Sequence, residues 1–223
     1  MNEAKKAYAK ALGLYDWKIR KKNETSITMH SSQEEWQSLQ KCVAACTACS
    51  LHQSRTQTVF GIGDRKASLM IIGEAPGFYE DQQGEPFVGR AGQLLTAMLK
   101  SIGFTREQVY IANILKCRPP NNRDPLPEEV QSCTEYLNHQ IKLVQPRLLL
   151  AVGRIAAHHL LKTKSSLERL RNQIHSYSDH QNNEHQIPLI VTYHPAYLLR
   201  NPVDKKKTFA DLQLIKKTLQ AAI

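Results

Sequence analysis

Four short runs of almost unbroken apolar residues decide what this chain can fold into: SLMIIGEA at 68–75, VYIANIL at 109–115, PRLLLAVG at 146–153 and PLIVTYHP at 188–195. A strand with water on one face alternates apolar and polar residues. A run without alternation predicts a strand covered on both faces, as in a parallel sheet. Helical patterns fill the intervals, at 91–103, 127–145, 153–161 and 209–223. The first places Leu94, Leu95, Met98, Leu99 and Ile102 on one stripe and stops at Gly103. The second opens with Pro127, Glu128 and Glu129, a helix-start signature. Strand alternating with helix predicts an α/β fold, a four-stranded parallel sheet flanked by helices. Ligands of such sheets bind beyond the carboxyl ends of the strands. Those ends carry GEAPG, Asn113, Gly153 and His194.

Residues 1–34 stand apart. The first 20 show a short amphipathic stripe, and KKNETSITMHSSQE at 21–34 is polar and aperiodic, so 1–34 is expected to be an extension and linker and 35–223 the compact domain. The N-terminus lacks the apolar centre of a signal peptide, and no run approaches the ~18 apolar residues of a membrane span. A cytoplasmic protein with no membrane partner is expected. The formal charge of +10 over 223 residues favours a polyanion, most often nucleic acid.

Five cysteines in a reducing compartment do not suggest a disulfide framework. Cys46 and Cys49 form a C-x-x-C pair, Cys117 follows the second strand, and Cys133 sits in the next helix. Two close thiolates and two distant ones can surround one metal centre, zinc or iron–sulfur, and Cys42 can replace one member. The alternative is buried thiols with no metal.

Three strand-end residues carry recognition chemistry. Asn113 can accept and donate to the edge of a base. His194, held extended by Pro195, can donate to a developing oxyanion. Phe87, in GEPFVG, is core or a stacking platform. Each alone has a plain structural explanation: a turn cap, a satisfied histidine, a core ring. Their convergence with a glycine loop on one sheet edge favours a binding site. Gly73 and Gly77 let backbone approach a ligand, with main chain at Ala75 lining the cavity.

The segments GEAPGFYEDQQGEPFVGRAGQLL, VYIANILKCRPPNNRDPLPEEVQSC and YHPAYLLRNP together resemble a family 4 uracil-DNA glycosylase of bacterial type, from about Cys46 to the C-terminus. The resemblance implies the three-layer fold of those enzymes, uracil-containing DNA, single- or double-stranded, as substrate, and a monomer that hydrolyses the N-glycosidic bond and starts base excision repair. It implies a 4Fe–4S cluster on Cys46, Cys49, Cys117 and Cys133, with Cys42 outside the pattern. Phe87 would stack on uracil, Asn113 would bond N3–H and O4, and His194 would bond O2. Glu80 would crowd the C5 methyl of thymine. Leu198 would fill the gap left by the flipped base, with Arg200 beside it on the DNA. Where the best-known uracil glycosylases carry a catalytic aspartate, this chain has Ala75, so main chain and Glu74 are expected to hold the water. Phe78 and Tyr79 stand where relatives commonly carry acids. Phosphate contacts are expected from Arg90, Lys116, Arg118, Arg123, Arg200, Lys205, Lys206 and Lys207.

Other functions fit less well. A DNA-binding module without activity has no need of Phe87, Asn113 and His194 together. A redox protein needs a nucleotide fingerprint that is missing. A relative that crosslinks abasic DNA through a histidine needs one in CRPPNNRDPLPEE, which has none.

Overall fold

The computed structural model describes residues 32–178 and 186–221. Expectations for 1–31 lie outside them. The central sheet has six strands: β1 (Ile62–Gly63), β2 (Leu69–Gly73), β3 (Tyr110–Asn113), β4 (Leu148–Val152), β5 (Ile174–Ser178) and β6 (Gln186–Thr192), in the order β1-β3-β2-β4-β6-β5. The four expected strands form its parallel core, β3-β2-β4-β6. β1 and β5 add antiparallel edges. Sequence reasoning missed both. β1 has only two residues, and β5 alternates with an exposed face, so neither makes an apolar run.

The sheet is buried from both sides because its residues alternate between two cores. Met70, Ile72, Ala112, Leu149, Ala151 and Val191 point to one face and pack with residues of helices α1 (Ser32–Ala44), α4 (Pro127–Val144) and α5 (Arg154–Leu161). Leu69, Ile71, Ile111, Leu150, Val152 and Ile190 point to the other. There they meet α3 (Arg90–Ser101), α7 (Pro195–Arg200) and α8 (Lys205–Ala221). Two short helices, α2 (Phe78–Gln83) and α6 (Leu167–Leu170), complete the fold. Helix α1 starts at Ser32, inside the stretch expected to be linker, and buries Trp36, Leu39 and Val43. Among the described residues no helix is long and apolar enough to cross a membrane.

The parallel strands run in the spatial order second, first, third, fourth. The chain leaves β2 toward one side and returns to the other, so a crevice opens beyond the ends of β2 and β4, where this kind of sheet binds ligands. Register brings Gly73 opposite Asn113, while Val152 lies opposite Thr192, so Gly153 and His194 emerge close together.

One buried ionic knot holds the end of β6. Asp211 on α8 accepts from Arg171 Nε at 2.9 Å, Arg171 Nη2 at 3.1 Å, the Asn172 amide at 3.1 Å and Thr192 Oγ1 at 2.7 Å. Arg171 also lies over the Tyr193 ring at 4.4 Å. Asp211→Ala strips the buried guanidinium of its buried partner, leaving it only the exposed Glu168 at 3.5 Å, and should destabilise the fold by about 3–5 kcal/mol. Val203→Ala, at a residue 89% exposed, should stay within about 0.5 kcal/mol. Denaturant unfolding of the two variants measures the contrast.

Candidate active site at the sheet edge

A cavity of about 430 Å³ occupies the crevice. Glu74, Ala75, Gly77, Glu80, Phe87, Asn113 and His194 all line it, together with Arg123, Tyr197 and Arg200. Main-chain bonds from Ile114 to Gly73 O and from Leu115 to Glu74 O, both 3.0 Å, carry the pairing of β2 and β3 past the strand ends and set the cavity floor.

Asn113 is 2% exposed, and its Oδ1 is a buried acceptor with no partner among the described residues. Native proteins rarely leave such an atom unpaired, because the desolvation cost is about 1–3 kcal/mol. Its backbone, by contrast, is held tightly. The Asn113 carbonyl accepts from Lys116 Nζ at 2.7 Å, and the same ammonium donates to Gln140 Oε1 at 2.6 Å. Gln140 Nε2 in turn donates to Phe60 O at 2.8 Å and to Tyr110 Oη at 3.1 Å. Burial lowers the Lys116 pKa to about 8, against the raising effect of Cys133 and Cys117. Lys116 is 1% exposed, so the expectation that it meets phosphate is corrected: its charge is spent inside, steadying Asn113.

Phe87 sits at φ +56°, a left-handed conformation that costs energy for a bulky residue. Arg106 holds it there, donating to Pro86 O at 2.8 Å and Phe87 O at 3.1 Å. The ring lies 5.7 Å from that of His194, centroid to centroid. Gly73 makes the arrangement possible. A Cβ there would collide with Asn113 Oδ1 and come within 2.7 Å of Phe87 Cζ.

The GEAPG loop is clamped by Glu80. Its Oε2 accepts from the Gly77 amide at 3.1 Å, and its Oε1 from the Val88 and Gly89 amides at 2.9 and 3.1 Å. One carboxylate thus ties the loop after β2 to the segment that presents Phe87. Across the cavity, Arg123 forms a fork with Glu129 at 2.6 and 2.9 Å, pinning its own loop to α4.

His194 caps α7. Its Nδ1 accepts from the Ala196 amide at 3.1 Å, which leaves the ring proton on Nε2. Burial, helped by the nearby Arg200 charge and opposed by Glu80, lowers its pKa to about 4, so the imidazole is neutral at physiological pH. Glu74 moves the other way. Burial and the neighbouring Asp124 raise its pKa to about 7, with Arg154 pulling it down.

The tip of the YHPAYLLR segment differs from expectation. It is a helix, α7, and helical spacing turns Pro195 and Leu198 inward. Leu198 is fully buried, so its assignment as the residue that enters the duplex is corrected. Leu199, 37% exposed, is the leucine that faces out, beside the exposed Arg200.

The cysteines converge on another corner. The Arg55 guanidinium donates to Cys117 Sγ at 3.0 Å, the Lys116 amide to Cys133 Sγ at 3.3 Å and the Ala48 amide to Cys46 Sγ at 3.5 Å. Burial pushes the Cys117 thiol up, Arg55 opposes this, and Cys49 and Cys46 push it further up. Cys133 likewise feels Cys117 and Cys49. Yet no three His, Cys, Asp or Glu side chains among the described residues are placed to hold a single metal ion. Cys42 lies exposed on α1. No sequence signal marked Arg106 or Lys116 as support for the site; both look like ordinary basic residues until the fold half-buries the first and encloses the second.

The parallel core of the sheet thus carries at its carboxyl edge a pocket lined by amide, imidazole and phenyl groups, the class of site that suits a planar ring with polar edges. Residues 60–217 match the uracil DNA glycosylase superfamily model. The chain is 41% identical to the type-4 uracil-DNA glycosylase of Archaeoglobus fulgidus over 177 residues, 78% of this chain and 87% of that one. It is 43% identical to that of Thermotoga maritima over 175 residues, 78% and 88% of the two chains. Against that of Pyrobaculum aerophilum it is 42% identical over 179 residues, 80% and 91%. The chain belongs to the uracil-DNA glycosylase superfamily, and within it to the type-4 enzymes. It is a DNA N-glycosylase of base excision repair.

Gly73→Ala should leave the fold standing while displacing Asn113 and Phe87. Excision of uracil from an oligonucleotide is expected to fall by at least ~10²-fold, since misplacement of about 1 Å costs that much. Circular dichroism on the same sample checks that the sheet survives.

Proposed function

We propose that the cavity takes uracil flipped from DNA and that Asn113, Phe87, His194 and Glu74 divide the work of releasing it. The observation that carries this is the unpaired Asn113 Oδ1, an acceptor buried in a cavity wall with nothing to accept. Uracil N3–H supplies the missing donor, and the Asn113 amide N–H donates to O4. Cytosine reverses that pattern and leaves buried polar groups unpaired, which is a strong form of discrimination. Phe87 stacks on the base. The Glu80 side of the cavity faces C5, where the methyl of thymine would have to fit.

Hydrolysis proceeds through a sugar cation and a departing uracil anion. Charge gathers on O2, and the Nε2–H of His194 donates to it. A neutral donor suits this task, because its weakly acidic N–H polarises the oxygen without handing over the proton. Such a preorganised donor is worth about 3–4 kcal/mol. Glu74, a carboxylate lining the same cavity as Ala75, orients the water that attacks C1′ and takes its proton.

Cys46, Cys49, Cys117 and Cys133 would hold a 4Fe–4S cluster. One feature supports this: N–H donors aim at three of the sulfurs, as is usual around cluster thiolates. When bound, the cluster supplies structural crosslinking, not chemistry on the base. The chain's own contribution is Lys116, whose amide reaches Cys133 while its ammonium holds Asn113. Leu199 takes the place in the duplex first assigned to Leu198, with Arg200 on the backbone. A bacterial cytoplasm, a monomeric state and action on both single and double strands complete the proposal.

Uracil release from labelled oligonucleotides, with thymine and cytosine controls, tests the pocket. Asn113→Ala and His194→Ala should each cost ~10²–10³-fold in kcat. The pH profile separates the roles. Glu74 must be ionised to act as a base, so activity should rise as pH increases through about 7 and be lost below it, and Glu74→Gln should remove that limb. His194, neutral down to about 4, adds no limb in that window. An unchanged profile in Glu74→Gln would falsify its role.

The cluster is tested apart from activity. Protein purified without oxygen should carry iron and sulfide, and Cys117→Ser should carry much less of both. Zinc in their place would sink the assignment.

A further inference from the structure

Two adjacent aromatic rings stand out of the surface at the mouth of the cavity. Phe78 is 50% exposed and Tyr79 59% exposed. They open α2, between Gly77 and Glu80, both of which line the cavity. Their rings meet edge to face at 5.5 Å and 80°. A Cβ on Gly89 would touch Tyr79 Cδ2 at 3.4 Å, so the tyrosine lies along the backbone two residues beyond Phe87. Arg118 covers Phe78 at 5.0 Å, and its Nε is fixed by Asn122 Oδ1 at 2.7 Å, Asn122 being another cavity residue.

The pair is held firmly. Glu80 clamps the helix start to the Phe87 segment, and the next residue, Asp81, is buried and accepts the Thr56 amide at 2.9 and 3.1 Å. Rigid, half-exposed aromatic faces beside a fixed cation match what a nucleobase and its phosphate need: an apolar face to stack on and a positive charge. A strand that delivers a uracil to the cavity carries its neighbouring nucleotides over the surface beside Gly77 and Glu80, where this pair stands.

We propose that Phe78 and Tyr79 form a stacking platform for a base adjacent to the flipped uracil in the same strand, with Arg118 on the neighbouring phosphate. This rests on the reading of the cavity as the uracil pocket. The platform takes any base, because every base has a π face. It favours single-stranded substrate, where the neighbour is free to leave its stack.

The test uses the full chain and single-stranded oligonucleotides with one uracil, the base on either side replaced in turn by an abasic analogue. Phe78→Ala and Tyr79→Ala should each lower kcat/KM roughly 5- to 150-fold, the range that stacking one base spans. Phe209→Ala removes an equally exposed ring on α8 and should change nothing. In the wild type, one abasic position should cost a similar factor. In Phe78→Ala/Tyr79→Ala that position should cost nothing more. Losses that multiply, or an absence of loss in the single variants, overturn the platform. Wild-type protein that releases no uracil overturns the pocket reading instead.

Discussion

A buried amide oxygen with nothing to bond governs the architecture around it. Asn113 Oδ1 is one of two buried side-chain polar atoms without a partner among the described residues, the other being Thr208 Oγ1. Left to itself, such a group would rotate, draw in backbone or admit a collapse of the surrounding loops. Three devices oppose this: Lys116 grips the carbonyl of the same residue, Gly73 leaves room where a methyl would collide, and Arg106 keeps Phe87 in a conformation it would otherwise leave. The unmet acceptor is a cost carried by the rest of the fold, and ligand binding removes it.

The same logic links the cysteine corner to the base pocket. Lys116 and Cys117 are neighbours in the chain, and the Lys116 amide reaches Cys133 on α4, which also carries Gln140. Ordering that corner therefore orders the ammonium that fixes Asn113. A structural centre placed there would act on recognition through packing and hydrogen bonds, with no need for redox chemistry near the substrate.

Electrostatics divide two ionisable groups within one cavity. Burial pushes both toward their neutral forms, which means a low pKa for His194 and a high one for Glu74. Neighbouring charges act in both directions: Arg200 and Asp124 reinforce the two shifts, while Glu80 and Arg154 oppose them. The result is a neutral donor on one wall and a carboxylate poised near neutrality on another, although the protein as a whole is strongly basic. Surface charge has little to do with it; local desolvation decides.

Much of the fold was legible in residue order because it follows from repeating patterns. Continuous apolar runs imply strands covered on both faces, and the four parallel strands stand where those runs lie. The short edge strands were not legible, since pairing on one side leaves no apolar run to see. The pocket residues at strand ends could be named from position and type, and they do line one cavity. Leu198 and Leu199 could not be told apart until α7 was known to be a helix, because one residue of rotation separates core from solvent. Lys116 looked like a surface cation for a similar reason: nothing in a sequence shows which lysine the fold will enclose. Periodicity is a local property written in the chain, whereas burial, pairing and pKa arise only when distant segments close around a residue.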